Sequence, residues 1–395
     1  MRTFLFATFI SALFSTAAWA QDVVKIGMLQ GFTGPTESLV APMAKGGEMA
    51  IQEVSDSGIF LGGKKVESVR GDSTCIDAAA ATAAAERLVT SDGVAAINGA
   101  TCSGATTAVL NNVVVPNGIV MISPSATSPA LSTIEDSGLF FRTAPSDARQ
   151  GQIMADVLGT RGVKSVALTH TNNDYGKGLA DSFKAAFEAS GGAVTITAAH
   201  EDGKADYSAE VGALSSAGGD LLVVAGYLDQ GGKGIIQASL DSGAFDTFML
   251  PDGMVGDSLT GNFGTDIDKS FGTVPGTDSP GATMMGDITK GADFNGTDPY
   301  VPECYDASAL ILLAMQSAGS SNSADFKDHV MKVANAPGEQ IFPGELAKGL
   351  KILADGGEID YVGGSAVELI GSGESSGSFR EVEVKGGKFE TVTYH

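Results

Sequence analysis

The chain has 395 residues, with 47 acidic residues against 24 basic residues and a formal net charge of −23. Such a charge argues against nucleic acids and anionic membranes as partners, because both repel an acidic surface. About 375 residues would remain after an N-terminal leader, which exceeds the usual size of one hydrophobic core, so two lobes are expected.

The N-terminus has the three parts of a secretory signal peptide. Met1-Arg2 is a short positive region, residues 4–14 are mostly apolar, and Ala18-Trp19-Ala20 is a small-x-small cleavage site. No cysteine follows that site, so a lipid anchor is not expected, and no later apolar run approaches the roughly 20 residues that span a bilayer. We expect cleavage after Ala20 and a soluble, exported protein.

Strand and helix patterns alternate along the rest of the chain. Short apolar runs are typical of buried parallel strands, and partly amphipathic segments between them favour helices. This alternation predicts doubly wound parallel sheets, with a hairpin of FREVEV and FETVTY at the C-terminus and a loose region at 278–298. The predicted strands are 23–29, a second strand within LGGKKVESVRGD (61–72), 94–97, 119–122, 163–169, 194–199, 221–224 and 247–250. The predicted helices are 39–55, 78–89, 104–111, 147–159, 179–190, one that runs through Leu214, 234–242, 300–319 and 324–334.

Three segments have the character of crossings between the lobes. They are FFRTAP (140–145), TVP (273–275) and the Gly/Ser-rich GSGESSGS (371–378). Three crossings would form a hinge, which lets a cleft open and close. The predicted division is therefore a leader at 1–20, a first lobe at 21–143 and 276–372, and a second lobe at 144–275 and 373–395.

Two hydroxyl-rich loops follow neighbouring strands of the first lobe. One loop covers 98–102, before a helix that Ser103 is placed to cap, and the other is SPSATSP (123–129). Open α/β sheets bind ligands at the carboxyl ends of their strands. Free backbone N–H groups at a helix start, together with Ser and Thr hydroxyls, suit a carboxylate.

Three features form a combined pattern. They are a cysteine in each of two loops, the pair Cys102-Ser103 at the second loop, and SPxATxP about twenty residues later. This pattern resembles the periplasmic amino-acid-binding proteins of ABC transporters, of the leucine/isoleucine/valine-binding type. The resemblance implies a type I periplasmic binding fold of two α/β lobes. It also implies a monomeric receptor without a cofactor, which delivers an amino acid with an aliphatic or other uncharged side chain to an inner-membrane ABC permease.

The resemblance also implies how the first lobe would hold the ligand. Ser103 matches the family's carboxylate-binding serine, although a plain helix cap is the alternative. Thr127 matches a threonine that uses its backbone N–H and hydroxyl, and Ser125 and Ala126 would add backbone groups. From the second lobe, Tyr175 in NNDYGKG resembles a loop tyrosine that closes over the ligand.

Asp252, in LPDG, aligns with the acidic residue that pairs with the ligand's ammonium. Better-known family members carry Glu there, so the ligand would sit closer here or a water would bridge the gap. An ordinary turn aspartate before glycine is the alternative. Leu39, Tyr227 and Tyr305 are candidate walls for the side chain, and each could equally be core.

The chain has three cysteines, Cys75, Cys102 and Cys304. Exported proteins meet an oxidising compartment, and Cys75 and Cys102 are both predicted in loops on one sheet edge, so we expect a disulfide between them. It would close a loop of about 28 residues and contribute roughly 3–4 kcal/mol. Cys304 fits a buried apolar thiol.

Catalytic patterns are weak. GESSG (373–377) matches the G-x-S-x-G nucleophile motif, but it lacks the strand, sharp turn and helix which that motif needs. The four histidines have no metal-ligand spacing. We therefore expect no enzyme and no metal. Two alternatives stay open: the same fold binding an amide, a urea or a small carboxylate, and an exported hydrolase that uses Ser375.

Overall fold

The computed structural model describes residues 23–395, so the predicted leader and its cleavage site lie outside the described residues. The strands are β1 Val23–Gln30, β2 Lys65–Asp72, β3 Ala96–Gly99, β4 Val120–Ser123, β5 Phe140–Pro145, β6 Ser165–Thr171, β7 Ala193–His200, β8 Leu221–Ala225, β9 Phe248–Leu250, β10 Phe271–Pro275, β11 Glu339–Ile341, β12 Ile359–Tyr361, β13 Leu369–Ile370, β14 Glu374–Ser375, β15 Phe379–Lys385 and β16 Lys388–Tyr394. The helices are α1 Glu37–Ser57, α2 Ala78–Glu86, α3 Ser103–Val109, α4 Val115–Asn117, α5 Asp147–Thr160, α6 Asp174–Ala189, α7 Ser208–Ala217, α8 Gly231–Ser242, α9 Asp257–Phe263, α10 Pro280–Ile288, α11 Val301–Ala318, α12 Ser323–Ala334 and α13 Leu346–Ala354.

Within residues 23–395, fourteen strands form two seven-stranded sheets, one in each lobe, and β11 and β12 form a separate two-stranded sheet. The first lobe has the order β13-β14-β5-β4-β3-β1-β2, and the second has β16-β15-β10-β9-β8-β6-β7. Neighbouring strands are parallel except at β13–β14, β10–β15 and β15–β16. Helices between successive parallel strands cover the sheets, as doubly wound folds require. The predicted two-lobe α/β fold and the C-terminal hairpin are confirmed.

The chain passes between the two sheets after β5, after β10 and between β14 and β15. One detail differs from the predicted division. Glu374 and Ser375 pair with β5 in the first sheet, although 373–395 was assigned to the second lobe. The third passage therefore follows Ser375, and the other lobe boundaries stay predictions.

Helix α11 is the buried centre of the first lobe. It packs against α1, α12 and α13 and reaches β3, β4 and β5, and Leu310, Leu312 and Leu313 on it have no exposed surface. Burying each of these leucines contributes about 1.5–3 kcal/mol. The close packing on α1 depends on Gly46, because a Cβ there would lie 2.8 Å from the Val301 carbonyl oxygen. The helix predicted at 300–319 is confirmed, and it packs on the first sheet.

The region predicted as loose contains helix α10. Pro280 occupies its first turn and the Ser279 hydroxyl caps it by accepting from the Ala282 N–H. Helices α9 and α13 were also not predicted, and all three have nine residues or fewer, which is too short for a clear periodic pattern. Across the part of the chain described, no helix combines the length and the apolar character needed to cross a bilayer.

Candidate ligand-binding site

A small cavity of about 30 Å³ lies between the lobes, at the carboxyl ends of strands from both sheets. Six predicted site residues line it: Leu39, Ser103, Ser125, Tyr175, Tyr227 and Asp252. The other lining residues are Thr36, Met43, Thr101, Cys102, Gly253 and Tyr300. The structure thus brings residues from across the chain together at one site, where the lobes meet so closely that the space left is that of about one water.

Ser103 is positioned by the disulfide and by helix α3. The predicted disulfide joins Cys75 to Cys102, and it ties the loop before α3 to the loop after β2. Cys102 rather than Ser103 is the N-cap, so the prediction that Ser103 caps this helix is wrong. Instead, the Ser103 hydroxyl accepts from the Ser128 N–H at 3.1 Å. Its own proton can therefore be donated into the cavity.

The SPSATSP loop is held by its own hydroxyls. The Ser125 hydroxyl donates to the Thr101 carbonyl at 2.9 Å, and the Ser123 hydroxyl accepts from the Ala126 N–H at 2.9 Å. Ala126 and Thr127 are buried behind the cavity wall and do not line it. The Thr127 hydroxyl makes no hydrogen bond, which leaves a buried polar atom without a partner.

Tyr175 lies in the first turn of α6, where the sequence predicted a loop. The helix begins at Asp174 because the Asn173 side chain caps it, accepting from the Gly176 N–H at 3.0 Å. The Tyr175 ring stacks on Tyr227 with centroids 5.2 Å apart. These two rings form the second-lobe wall of the cavity.

Asp252 follows β9 and is buried between two tyrosine hydroxyls. Tyr175 donates to Oδ1 at 2.9 Å, and Tyr300 donates to Oδ2 at 2.5 Å. Burial raises the pKa of Asp252, and the hydroxyls of Tyr300 and Tyr175 oppose this effect. Tyr300 belongs to the first lobe, so its bond to Asp252 crosses the cleft and holds the lobes in a closed arrangement.

The prediction that Tyr305 lines the pocket is wrong. Its hydroxyl donates to the Glu53 carboxylate and accepts from the Gly344 N–H at 3.1 Å, within the first lobe. Tyr300 lines the cavity instead, immediately before α11 begins. A tyrosine directly before a strongly apolar helix was the available signal, since a polar hydroxyl there needs a partner outside the core.

Asp147 and Gln150, on the first turn of α5, are further buried residues near Asp252 that the sequence did not suggest. Asp147 has no exposed surface, and neither of its carboxyl oxygens makes a hydrogen bond. Burial, and then the charge of Asp252, raise the pKa of Asp147 well above its usual value. The site therefore contains two buried carboxyl groups from the second lobe.

The GESSG motif does not form a nucleophile site. Ser375 is buried in β14, and the chain continues to strand β15 rather than to a helix. The side chain of His395 contacts Glu381 at 3.1 Å and not Ser375. Among residues 23–395, no three potential metal-binding side chains are grouped to hold an ion.

Comparisons with known proteins agree with this geometry. The family model described as periplasmic binding protein matches residues 23–345. A leucine-, isoleucine-, valine-, threonine- and alanine-binding protein of Pseudomonas aeruginosa is 28% identical over 321 residues, which cover 80% of this chain and 84% of that protein.

Two solved structures share the fold. A branched-chain amino acid transporter substrate-binding protein from Streptococcus pneumoniae, in complex with isoleucine, has a TM-score of 0.75 at 23% identity and covers 94% of this chain and 99% of its own. An ABC transporter solute-binding protein from R. palustris, in complex with 4-hydroxybenzoate, has a TM-score of 0.73 at 19% identity. The match covers 95% of this chain and 97% of that protein.

Proposed function

Because this chain belongs to the periplasmic binding protein family, we propose that it is a receptor that captures an amino acid between its lobes and passes it to an inner-membrane ABC permease. The observation that carries the proposal is the pairing of unlike groups across one closed cavity. Ser103 and Ser125 line it from the first lobe, and Asp252 lines it from the second.

This arrangement suits the two charges of a zwitterion. A ligand carboxylate would accept from the Ser103 hydroxyl and from Ser125, the residue of the SPSATSP loop that lines the cavity, and the ammonium would pair with Asp252. Buried charges need such partners, since an unpaired charge is costly away from water. Leu39, Met43 and the Tyr227 ring give the remaining wall an apolar character, which fits an uncharged side chain.

A carboxylate without an amino group is the second candidate. The stacked rings of Tyr175 and Tyr227 suit a flat ligand, and the R. palustris neighbour was solved with 4-hydroxybenzoate. Asp252 separates the candidates, because its negative charge attracts an ammonium and gives an aromatic acid no ionic partner.

Thermal-shift screening of residues 21–395 against amino acids, amides, urea and aromatic acids is the first test. A ligand at 100 times its dissociation constant should stabilise the protein by about 2.7 kcal/mol. We expect apolar amino acids to give the largest shifts. A response to aromatic acids alone would favour the second candidate.

Asp252→Asn should then weaken binding of the responding amino acid by about 2–4 kcal/mol, because the ammonium loses its buried partner. Calorimetric titration would measure the dissociation constant. Tyr305→Phe is the matched control, since it removes a buried phenol that lies away from the cavity. Unchanged affinity in Asp252→Asn would contradict the assignment of the ammonium.

We also propose export with cleavage after Ala20. The mature protein recovered from the periplasm of an expressing bacterium should begin at Gln21, which the intact mass would establish. A protein that retained residues 1–20 in the cytoplasmic fraction would contradict this proposal.

A further inference from the structure

A second cavity, which we call the hinge cavity, lies beside the segments through which the chain passes between the lobes. It has a volume of about 290 Å³, close to the lower end of the usual range for ligand pockets. Both lobes line it, because Glu303 belongs to α11 of the first lobe, whereas Arg380 and Tyr394 belong to the C-terminal hairpin of the second sheet. A molecule in the hinge cavity would therefore contact both lobes.

The side chain of Arg380 lies directly against the hinge. Its backbone is fixed between two strands, opposite Val274 of β10 and Tyr394 of β16. The two neighbouring passages are joined, because the Gly276 N–H donates to the Ser378 carbonyl at 3.1 Å and the Ser378 hydroxyl donates to the Gly276 carbonyl at 3.0 Å. The Arg380 Nε atom lies 3.8 Å from the position that a Cβ on Gly276 would take.

The guanidinium of Arg380 is left without a partner. Within residues 23–395 it forms no salt bridge, and its buried Nε atom makes no hydrogen bond. Buried polar groups are nearly always satisfied, so this cation requires an explanation. Burial raises the pKa of Asp298 and of Glu303, and the charge of Arg380 opposes this effect at both.

Carboxyl groups line the hinge cavity around this cation without pairing with it. They belong to Asp278, Asp298 and Glu303. Glu303 is 2% exposed, its carboxyl accepts from its own backbone N–H, and its Oε2 atom has no partner. A lone anion would meet the carboxylates of Asp278 and Asp298, and a lone cation would meet Arg380. A molecule that carries both charges is favoured, because each of its charged groups finds an opposite partner.

We propose that the hinge cavity is a second binding site, which takes a small polar zwitterion of the size of serine. The carboxylate of this ligand accepts from the Arg380 guanidinium, and its ammonium faces Asp298 and the Oε2 atom of Glu303. Thr277 and Ser365 also line the cavity, and their hydroxyls favour a polar side chain.

Occupation of the hinge cavity should favour closure of the lobes. A ligand that binds Arg380 from the second lobe and Glu303 from the first bridges the lobes beside the hinge. It stabilises the closed form, and by linkage it strengthens binding in the cleft by the factor by which the cleft ligand strengthens its own binding. This effect on the cleft rests on the proposed receptor function, whereas binding at Arg380 does not.

Calorimetric titration of residues 21–395 with L-serine tests the site. We expect saturable binding that needs both charges. Ethanolamine lacks the carboxylate of serine and 3-hydroxypropanoate lacks its ammonium, so each should bind about tenfold more weakly or worse. Binding of either analogue as tight as that of serine would overturn the assignment of a zwitterion.

Arg380→Gln should weaken binding of L-serine about 10- to 100-fold, because the carboxylate loses its charged donor. Arg380→Lys should recover part of this affinity, since it keeps the charge without the planar fork. Arg149→Gln is the matched control. Arg149 also contacts a passage between the lobes, donating to the Gly377 carbonyl at 3.3 Å, and it does not line the hinge cavity. Its variant should bind serine as the wild type does.

The outcomes separate this site from the cleft. Loss of serine binding in Asp252→Asn with full binding in Arg380→Gln would place serine in the cleft and overturn the second site. Absence of binding by the wild type at millimolar L-serine would overturn it as well.

The coupling is measured with the amino acid that gives the largest thermal shift. L-serine should lower the dissociation constant of this amino acid for the wild type but not for Arg380→Gln. Serine binding at Arg380 without this effect would overturn the coupling and leave both binding sites. If no amino acid occupies the cleft, the receptor function is refuted, while the L-serine titration still decides on the hinge cavity.

Discussion

At the scale of single residues, Glu303 shows how burial controls a charge in this protein. It lies on α11 with 2% of its surface exposed, and one carboxyl oxygen has no hydrogen bond. Burial raises its pKa to about 8. Glu374 behaves in the opposite way, because hydrogen bonds from Ser132 and Arg142 outweigh its burial and lower its pKa.

The two glutamates should make the free energy of unfolding depend on pH in opposite directions. In the unfolded chain Glu303 ionises near pH 4.3, while in the folded protein it stays neutral until about pH 8, so its contribution to stability is lost as pH rises through this window. We expect Glu303→Gln to reduce the loss of unfolding free energy between pH 5 and 8 in denaturant titrations. Glu374→Gln, the control, should instead lower stability at neutral pH and matter less as pH falls. Parallel profiles of unfolding free energy against pH for the wild type and Glu303→Gln would contradict this expectation.

The residues predicted at the site were those that lie in a local motif. Ser103 follows a loop cysteine, and Asp252 follows a strand, so sequence order alone suggested their edge of the sheet. Tyr300 was missed in favour of Tyr305, five residues later. Tyr300 lies before the first turn of α11, whereas Tyr305 lies inside the helix, so the two tyrosines face different surroundings. Asp147 was assigned only a place at a helix start, because its proximity to Asp252 exists only in the folded chain.

At the scale of elements, helix α1 is capped from the opposite lobe. Its N-cap residue, Thr36, makes no side-chain capping bond. Instead, the Ser38 N–H donates to the Asp229 carboxylate at 2.8 Å and the Ser38 hydroxyl donates to it at 2.9 Å. Ser258 also donates to this carboxylate, at 2.9 Å. Since Asp229 follows β8 in the second lobe, this cap exists only while the lobes are closed.

Asp229→Ala should therefore weaken ligand binding without altering the cavity wall. A helix cap contributes about 0.5–2 kcal/mol, so we expect a roughly 2- to 30-fold loss of affinity, seen mainly as faster dissociation in stopped-flow measurements. Asp77→Ala is the matched control, because Asp77 caps α2 within the first lobe by accepting from the N–H groups of Ala79 and Ala80. It should lower stability and leave affinity unchanged. Equal effects of both variants on dissociation would exclude a role of the cap in closure.

Elements with strong local signals were predicted well, and those defined by distant contacts were not. The apolar strands β3, β4, β6 and β8 lie within two residues of their predicted positions. The start of α6 was placed too late, because Gly176 and Gly178 are poor helix formers. Both glycines are required by packing, since a Cβ on Gly176 would lie 2.2 Å from the Thr171 carbonyl oxygen and one on Gly178 would lie 2.8 Å from Pro129.

At the scale of the whole molecule, length and strand–helix alternation were enough to predict two lobes, but not how closely they meet. Hydrogen bonds that join the lobes around the cleft include those of Tyr300 with Asp252, Ser38 with Asp229, and Thr107 with Asp174 at 3.1 Å. Each joins residues more than 45 positions apart in the chain. Sequence periodicity reports only which face of an element is buried, so it carries no information on these pairs.

These contacts predict a change of shape on binding. A ligand that bridges both lobes stabilises the closed form by its difference in affinity for the two forms, so adding it should shift the population towards closure. Small-angle scattering should show a smaller radius of gyration with saturating amino acid, and the liganded curve should fit this closed structure better than the ligand-free curve. Asp229→Ala should need more ligand for the same compaction, whereas Asp77→Ala should follow the wild-type curve. Tight binding with no compaction would mean that the cleft is already closed when empty, and the hinge would then serve ligand entry rather than the response to bound ligand.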